Sequence, residues 1–209
     1  RAVDEYHGVQ SVSRSQYNLQ QRLVQVQPAI ESERFLHSER LGGELAFWVF
    51  DYPPEYEIEV RTYLNDLTLR LQRKRYQFIH LNLFEVLIEM IEERGLLDRS
   101  YKLEKQKGTA ALKKALKAPL DQERVAEFIS NKVQADQQQF VLMSGLGSAW
   151  PLVRGHAILN ALHSRLGGTP LVLFFPGSYS GTELKTFGMI ESSNYYRAFD
   201  LVPDEEKEK

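Results

Sequence analysis

The chain has 209 residues, 43% hydrophobic and 26% charged, enough apolar side chains for a sizeable core beneath an ordinary polar surface. It contains no cysteine, which excludes disulfides, cysteine-ligated zinc and thiol catalysis together. Residues 204–209 account for the whole formal net charge of −2, so the remainder is neutral and lacks the basic excess of a nucleic-acid binder; no apolar run approaches the roughly 18 residues of a membrane-spanning helix.

Residues 1–31 read as a polar N-terminal segment. Its start, Arg1-Ala2-Val3-Asp4-Glu5, has neither the apolar stretch of a signal peptide nor an initiator Met. A processed end and a cytoplasmic location are expected. The first dozen positions are expected to be disordered. Beyond them, Leu19, Leu23, Val26 and Ile30 recur at helical spacing and predict one amphipathic helix ending near Pro28. Ser32-Glu33-Arg34-Phe35-Leu36 then opens the main domain, 32–203, with a short helix before a turn at Gly42-Gly43.

From there strands and helices alternate. The aromatic run 46–50 ends at Asp51-Tyr52-Pro53-Pro54 and reads as a buried strand. Over 55–75, Tyr56, Val60, Tyr63, Leu67 and Leu71 mark one helical face. Glu55, Glu57 and Glu59 at its start, with Arg70, Arg73, Lys74 and Arg75 at its end, complement the helix macrodipole. A strand at 77–81 leads to Asn82, which can cap the next helix with Glu85 at N3, and Gly95 suits its end. Residues 98–108 read as charged and irregular. Helices follow at 109–118 and at 122–133, the latter capped by Asp121. A strand at 140–144 precedes Gly145-Leu146-Gly147-Ser148 and a helix expected over 149–166. The strand at 171–175 is expected to break at Pro176-Gly177, before a short helix near 181–187 and a last strand near 197–201. Residues 204–209 read as a charged, disordered tail. The pattern predicts an α/β fold: a mostly parallel central sheet with helices on both faces, in outline like a P-loop or Rossmann-type domain but lacking the phosphate loop.

Ligands of such sheets bind beyond the strand C-termini, which directs attention to the loops at Asp51, Asn82, Ser144 and Pro176. Asp51 ends an apolar strand, where phosphotransfer proteins place a metal ligand, but no second acid follows within two positions. An Asx turn or a helix cap is the simpler reading. Gly145 and Gly147 could bring backbone N–H groups to a phosphate. A dinucleotide fingerprint requires a third Gly where Trp150 stands, so a tight turn capped by Ser148 is preferred. Gly177-Ser178-Tyr179-Ser180-Gly181 has no lysine directly after its last glycine and is no P-loop. His156, Asn160 and His163 share a helix face, but the two histidines are two turns apart and cannot chelate one metal. No metal site and no cofactor are expected. Tyr195-Tyr196-Arg197-Ala198-Phe199 reads as an aromatic lead into the last strand.

Several ordered blocks together resemble a known family. They include Phe47-Trp48-Val49-Phe50-Asp51-Tyr52-Pro53-Pro54-Glu55, Asn82-Leu83-Phe84, Glu93-Arg94-Gly95-Leu96 and Gly145-Leu146-Gly147. Pro151-Leu152-Val153-Arg154-Gly155-His156, Leu173-Phe174-Phe175-Pro176-Gly177-Ser178-Tyr179 and Asn194-Tyr195-Tyr196-Arg197-Ala198-Phe199 continue the series. From about 32 to 202 the chain resembles the BrxB family of bacterial BREX phage-defence systems. Where the family pattern carries acidic residues after the second Gly of Gly-x-Gly and after Pro-Gly, this chain has Ser148 and Ser178, which weakens any enzymatic reading there.

The resemblance implies a non-catalytic structural or adaptor subunit, required for phage restriction and docking on the alkaline-phosphatase-like component PglZ. Trp150, Arg154, Tyr179 and Tyr195 are the expected anchors, in or near loops that also hold Asn82, Gly145, Gly147, Ser148 and His156. The rival reading is a degenerate nucleotide-binding or hydrolase-like domain using Asp51 and 145–148. A nucleic-acid-binding subunit is disfavoured by the neutral charge.

Overall fold

The computed structural model describes residues 13–37, 47–181, 183–187 and 198–204. The Gly42-Gly43 turn, Tyr195 and Tyr196, the first dozen residues and the tail beyond Asp204 lie outside them.

Strand β1 (Phe47–Tyr52) shows the logic of the fold. Its side chains alternate: Phe47 and Val49 join one buried cluster, whereas Trp48, Phe50 and Tyr52 join the other. The same alternation runs through β3 (Phe140–Ser144) and β4 (Leu171–Tyr179). All three are buried on both faces, and so they read as continuous apolar runs. With β2 (Phe78–Asn82), β5 (Leu184–Thr186) and β6 (Ala198–Asp200) they form a six-stranded sheet, ordered β2-β3-β4-β1-β6, with β5 paired to β4. The pairings β1·β4, β1·β6, β2·β3 and β3·β4 are parallel, as expected.

One face carries α1 (Arg14–Ile30), α2 (Glu33–Leu36) and α3 (Glu57–Arg73), which bury Leu19, Leu23, Val26 and Ile30, then Phe35, then Val60, Leu64, Leu67 and Leu71. The other carries α4 (Leu83–Glu93), α7 (Gln122–Val133) and α9 (Gly155–His163), through Val86, Leu87, Ile129, Ile158 and Leu162. The chain crosses from β1 to the far edge at β2 over the α3 face. It then returns through β3 to β4 over the opposite face, which keeps both crossovers of one hand.

Several boundaries differ from the sequence expectation. Helix α1 continues two residues past Pro28. Residues 98–108 are not irregular: α5 (Leu97–Lys107) buries no residue fully, but Asp98 in its first turn and Lys105 and Lys107 in its last match the helix dipole. Helix α6 (Thr109–Leu116) follows directly. The helix expected over 149–166 is split into α8 (Leu146–Ala149) and α9, because Trp150, preceding Pro151, takes an extended conformation.

Strand β4 does not break at Pro176-Gly177. Its pairing with β3 stops at Leu173, so Pro176 costs that neighbour no hydrogen bond. Gly177 then lets β5 approach antiparallel, since a Cβ there would fall 2.1 Å from the Lys185 carbonyl oxygen. A strand therefore occupies the place where a helix was expected over 181–187.

The two-faced packing sets the size of a core deletion. Leu67→Ala should lose about 2–5 kcal/mol by chemical denaturation. Leu69→Ala, two positions along α3 and half exposed, should change stability by less than about 0.5 kcal/mol.

Candidate functional site

A doubly wound sheet offers its ligand crevice where neighbouring strands send their connections to opposite faces. Here that point lies between β1, which leads to α3, and β4, which leads to β5 packed with the α9 side. The chain fills it with its own side chains. Asp51 is 1% exposed and Arg22 is 4% exposed. The Arg22 guanidinium donates from Nη2 to Asp51 Oδ1 at 2.9 Å and from Nη1 to the Asp51 carbonyl at 2.7 Å. It also donates to the Val202 carbonyl at 3.0 and 3.3 Å and lies 4.7 Å from the centre of the Phe50 ring. The second Asp51 oxygen accepts the Tyr179 N–H at 2.7 Å. Asp51 is thus neither a metal-ligand candidate open to solvent nor an Asx turn or helix cap; it is the buried partner of a cation from α1.

Tyr179 is part of the same closure rather than a surface anchor. It is 3% exposed, and its hydroxyl lies 2.7 Å from the carbonyl oxygens of Gly181 and Ala198. Burial, aided by the Asp200 charge, pushes its pKa up to about 12. Asp204, placed by the sequence in a solvated tail, accepts from Asn18 Nδ2 at 2.9 Å and lies 3.9 Å from Arg22.

Beside this closed crevice the ends of β1, β2 and β3 enclose an open polar cleft of about 260 Å³ beneath the first turns of α3. Asn82 lines it and caps α4 as expected, its Oδ1 accepting from the N–H groups of Phe84 and Glu85 at 3.0 and 3.4 Å. Gly145 packs against that amide. With φ at +78° and a Cβ position only 2.1 Å from Asn82 Oδ1, only glycine fits. His80 Nε2 and the buried Ser144 hydroxyl are 2.8 Å apart across β2 and β3. Burial lowers the His80 pKa below the ordinary histidine value, opposed by the Glu85 carboxylate. On the α3 side Tyr52 donates to Glu57, and Arg61 lies 3.7 Å from Glu57. Burial, then the Glu57 charge, pushes the Tyr52 hydroxyl well above its usual value. This cleft holds hydrogen-bonding groups of both senses, as a site for a small polar molecule would.

The remaining candidates lie along the segment after Gly145. Gly147 gives its space to Pro176 and Phe187, whose ring atoms would lie 3.3 and 3.4 Å from an added Cβ. It therefore serves packing rather than phosphate approach. Ser148 lies inside α8 and caps nothing, because Gly145 holds the N-cap position with no side-chain bond. Trp150 is half-buried, edge-on to Phe187 at 5.6 Å. Arg154 is exposed at the N-cap of α9, and burial together with its charge lowers the pKa of the half-buried His156.

The described sequence candidates thus fall into three places: Asp51 with Tyr179 in the closed crevice, Asn82 with Gly145 in the polar cleft, and Gly147, Ser148, Trp150, Arg154 and His156 along the segment into α9; Tyr195 lies outside the described residues. Sequence reasoning missed Arg22 and His80, and it named Ser144 only as the start of a strand-end loop, not as the partner of His80. Arg22 carried a signal, since it stands three residues after Leu19 and four before Val26, a cation on the apolar face of α1. His80 shares the β2 face with Phe78 and Asn82 by alternation, but its Ser144 partner comes from a strand pairing that no local pattern specifies.

A family model described as BREX protein BrxB matches residues 79–201. A curated relative named BREX protein BrxB, from Escherichia coli O9:H4 (strain HS), is 47% identical over 186 residues, covering 89% of this chain and 92% of the relative. Another of the same name, from Bacillus cereus (strain H3081.97), is 38% identical over 189 residues, covering 88% of this chain and 97% of the relative. No solved structure matches the chain.

Two measurements check the site. Asp51→Ala leaves the Arg22 cation buried without its carboxylate and should cost about 3–5 kcal/mol in urea unfolding. His80 is held neutral, with a folded pKa below its ordinary 6.5. Its contribution to stability is therefore complete above pH 6.5 and is lost as the pH falls from there through the depressed folded value. Unfolding midpoints followed from neutral to mildly acidic pH should fall more steeply for the unmutated chain than for His80→Asn.

Proposed function

The chain belongs to the BrxB family, and from that premise we propose that it is a non-catalytic adaptor subunit of a cytoplasmic BREX phage-defence assembly, docking on the alkaline-phosphatase-like component PglZ. The observation that carries this reading is the closed crevice. At the position where related sheet architectures bind nucleotides, both oxygens of Asp51 are engaged by Arg22 and the Tyr179 backbone. Gly145 and Gly147 are packed against Asn82, Pro176 and Phe187, not presented to a phosphate. A fold retained with that crevice closed is suited to work through its surface. No helix among the described residues is long and apolar enough to cross a membrane.

Of the four expected anchors, Arg154 and part of Trp150 remain available to a partner, whereas Tyr179 holds the fold together. A second reading, a small polar ligand in the cleft at His80, Asn82 and Ser144, is favoured by the convergence of hydrogen-bonding groups there. It is compatible with an adaptor role.

Co-expression of the tagged chain with the PglZ-like subunit of its own system tests the adaptor reading. The two should co-elute at micromolar concentration and moderate salt. Arg154→Ala should weaken that contact by about 2 kcal/mol with an unchanged melting temperature, whereas Tyr179→Ala should lower the melting temperature itself. Failure of the unmutated pair to co-elute counts against the reading, and catalytic turnover lost in His80→Asn would replace it with an enzymatic one.

A further inference from the structure

Composition suggested no basic surface, yet folding assembles one. Helix α6, the turn that follows it and the entry to α9 enclose a cleft of about 660 Å³, lined by Lys113, Lys114, Lys117 and Arg154. All four are exposed, and among the described residues none is in an ion pair. The acid at the rim, Asp121, already caps α7 and pairs with Arg124 at 3.1 Å. Between the cations the lining is apolar, with Leu120, Pro151 and Leu152. Gln122 fixes that wall by donating to the Leu152 carbonyl at 2.9 Å.

Four unpaired cations in one concavity, on a chain whose formal charge is −2, create a local positive potential directed at a single occupant. We infer that this cleft is the docking site for an acidic segment of a partner protein, its carboxylates meeting Lys113, Lys114, Lys117 and Arg154 and its apolar side chains resting on Leu120, Pro151 and Leu152. A nucleic-acid strand fits less well. Among the described residues no aromatic side chain lines the cleft to stack a base, and the chain as a whole lacks the positive balance that holds a phosphate backbone. The inference rests on the adaptor reading and adds to it a surface and a partner chemistry.

The test uses the full chain and a short fluorescent peptide in which glutamates alternate with leucines, with binding followed by anisotropy. The peptide should bind and weaken with salt. The double reversal Lys113→Glu with Lys117→Glu should weaken it at least about tenfold without moving the melting temperature, while the same reversal at the exposed Arg73 should not. A peptide with lysine in place of glutamate should not bind. No peptide binding, equal binding by the reversed chain, or tighter binding of a single-stranded oligonucleotide of equal charge would overturn the inference. A solution dimer dissolved by the same reversal would overturn it too, assigning the cleft to a second copy. The PglZ-like subunit separates the two readings. If it co-elutes equally with the unmutated and reversed chains, the cleft is not the docking site and the adaptor reading stands. If it never co-elutes while the peptide result holds, the adaptor reading fails and the acidic-segment site stands.

Discussion

Arg22 and Asp51 form a buried ion pair, and much of the molecule is arranged around its satisfaction. Removing two charges from water costs several kcal/mol per ion, and the pair is stable only where every remaining donor and acceptor finds a partner. Those partners come from separate parts of the chain: the Asp51 carbonyl and carboxylate from β1, the Tyr179 N–H from the end of β4, and the Val202 carbonyl from beyond β6. Helix α1 therefore does more than cover one face of the sheet with Leu19, Leu23, Val26 and Ile30. It supplies the cation that pairs with the buried carboxylate at the C-terminal end of β1, and so it belongs to the structure of the strand ends.

That constraint divides the end of the sheet. On the β1–β4 side the chain closes on itself, with Tyr179 and the Val202 segment filling the crevice. On the β2–β3 side the same strand ends remain open around His80, Asn82 and Ser144. The chain's likeness in outline to nucleotide-binding architectures follows from its parallel sheet and crossovers. The loss of the expected site follows from what the strand ends are used for.

Much of this fold was legible in the sequence, for identifiable reasons. Strands buried on both faces announce themselves as the apolar runs at Phe47, Phe140 and Leu171, and helices with one buried stripe announce themselves at Leu19 and Val60. Chemistry confined to one residue and its neighbours was equally legible, as in the Asn82 and Asp121 caps. What could not be read depends on contacts distant in sequence. Helix α5 has no fully buried residue, so its charged side chains dominate the local reading. Pro176 reads as a strand break unless the end of the β3 pairing is known. The site residues were least legible, because Arg22 finds Asp51 across 29 positions and His80 finds Ser144 across 64. Likewise the basic cleft arises only when the α6 lysines meet Arg154 in space.

The surface then becomes the place to seek activity, with the basic cleft and the closed crevice lined by different residues. Hydrogen–deuterium exchange of the chain, free and bound to the PglZ-like subunit, tests this most directly. Binding should slow exchange over 109–122 and 150–157 and leave 47–57 and 78–85 unchanged. Slowed exchange confined to the strand-end segments, with the α6 region unaffected, would contradict the view that this protein acts through a surface contact rather than at the ends of its sheet.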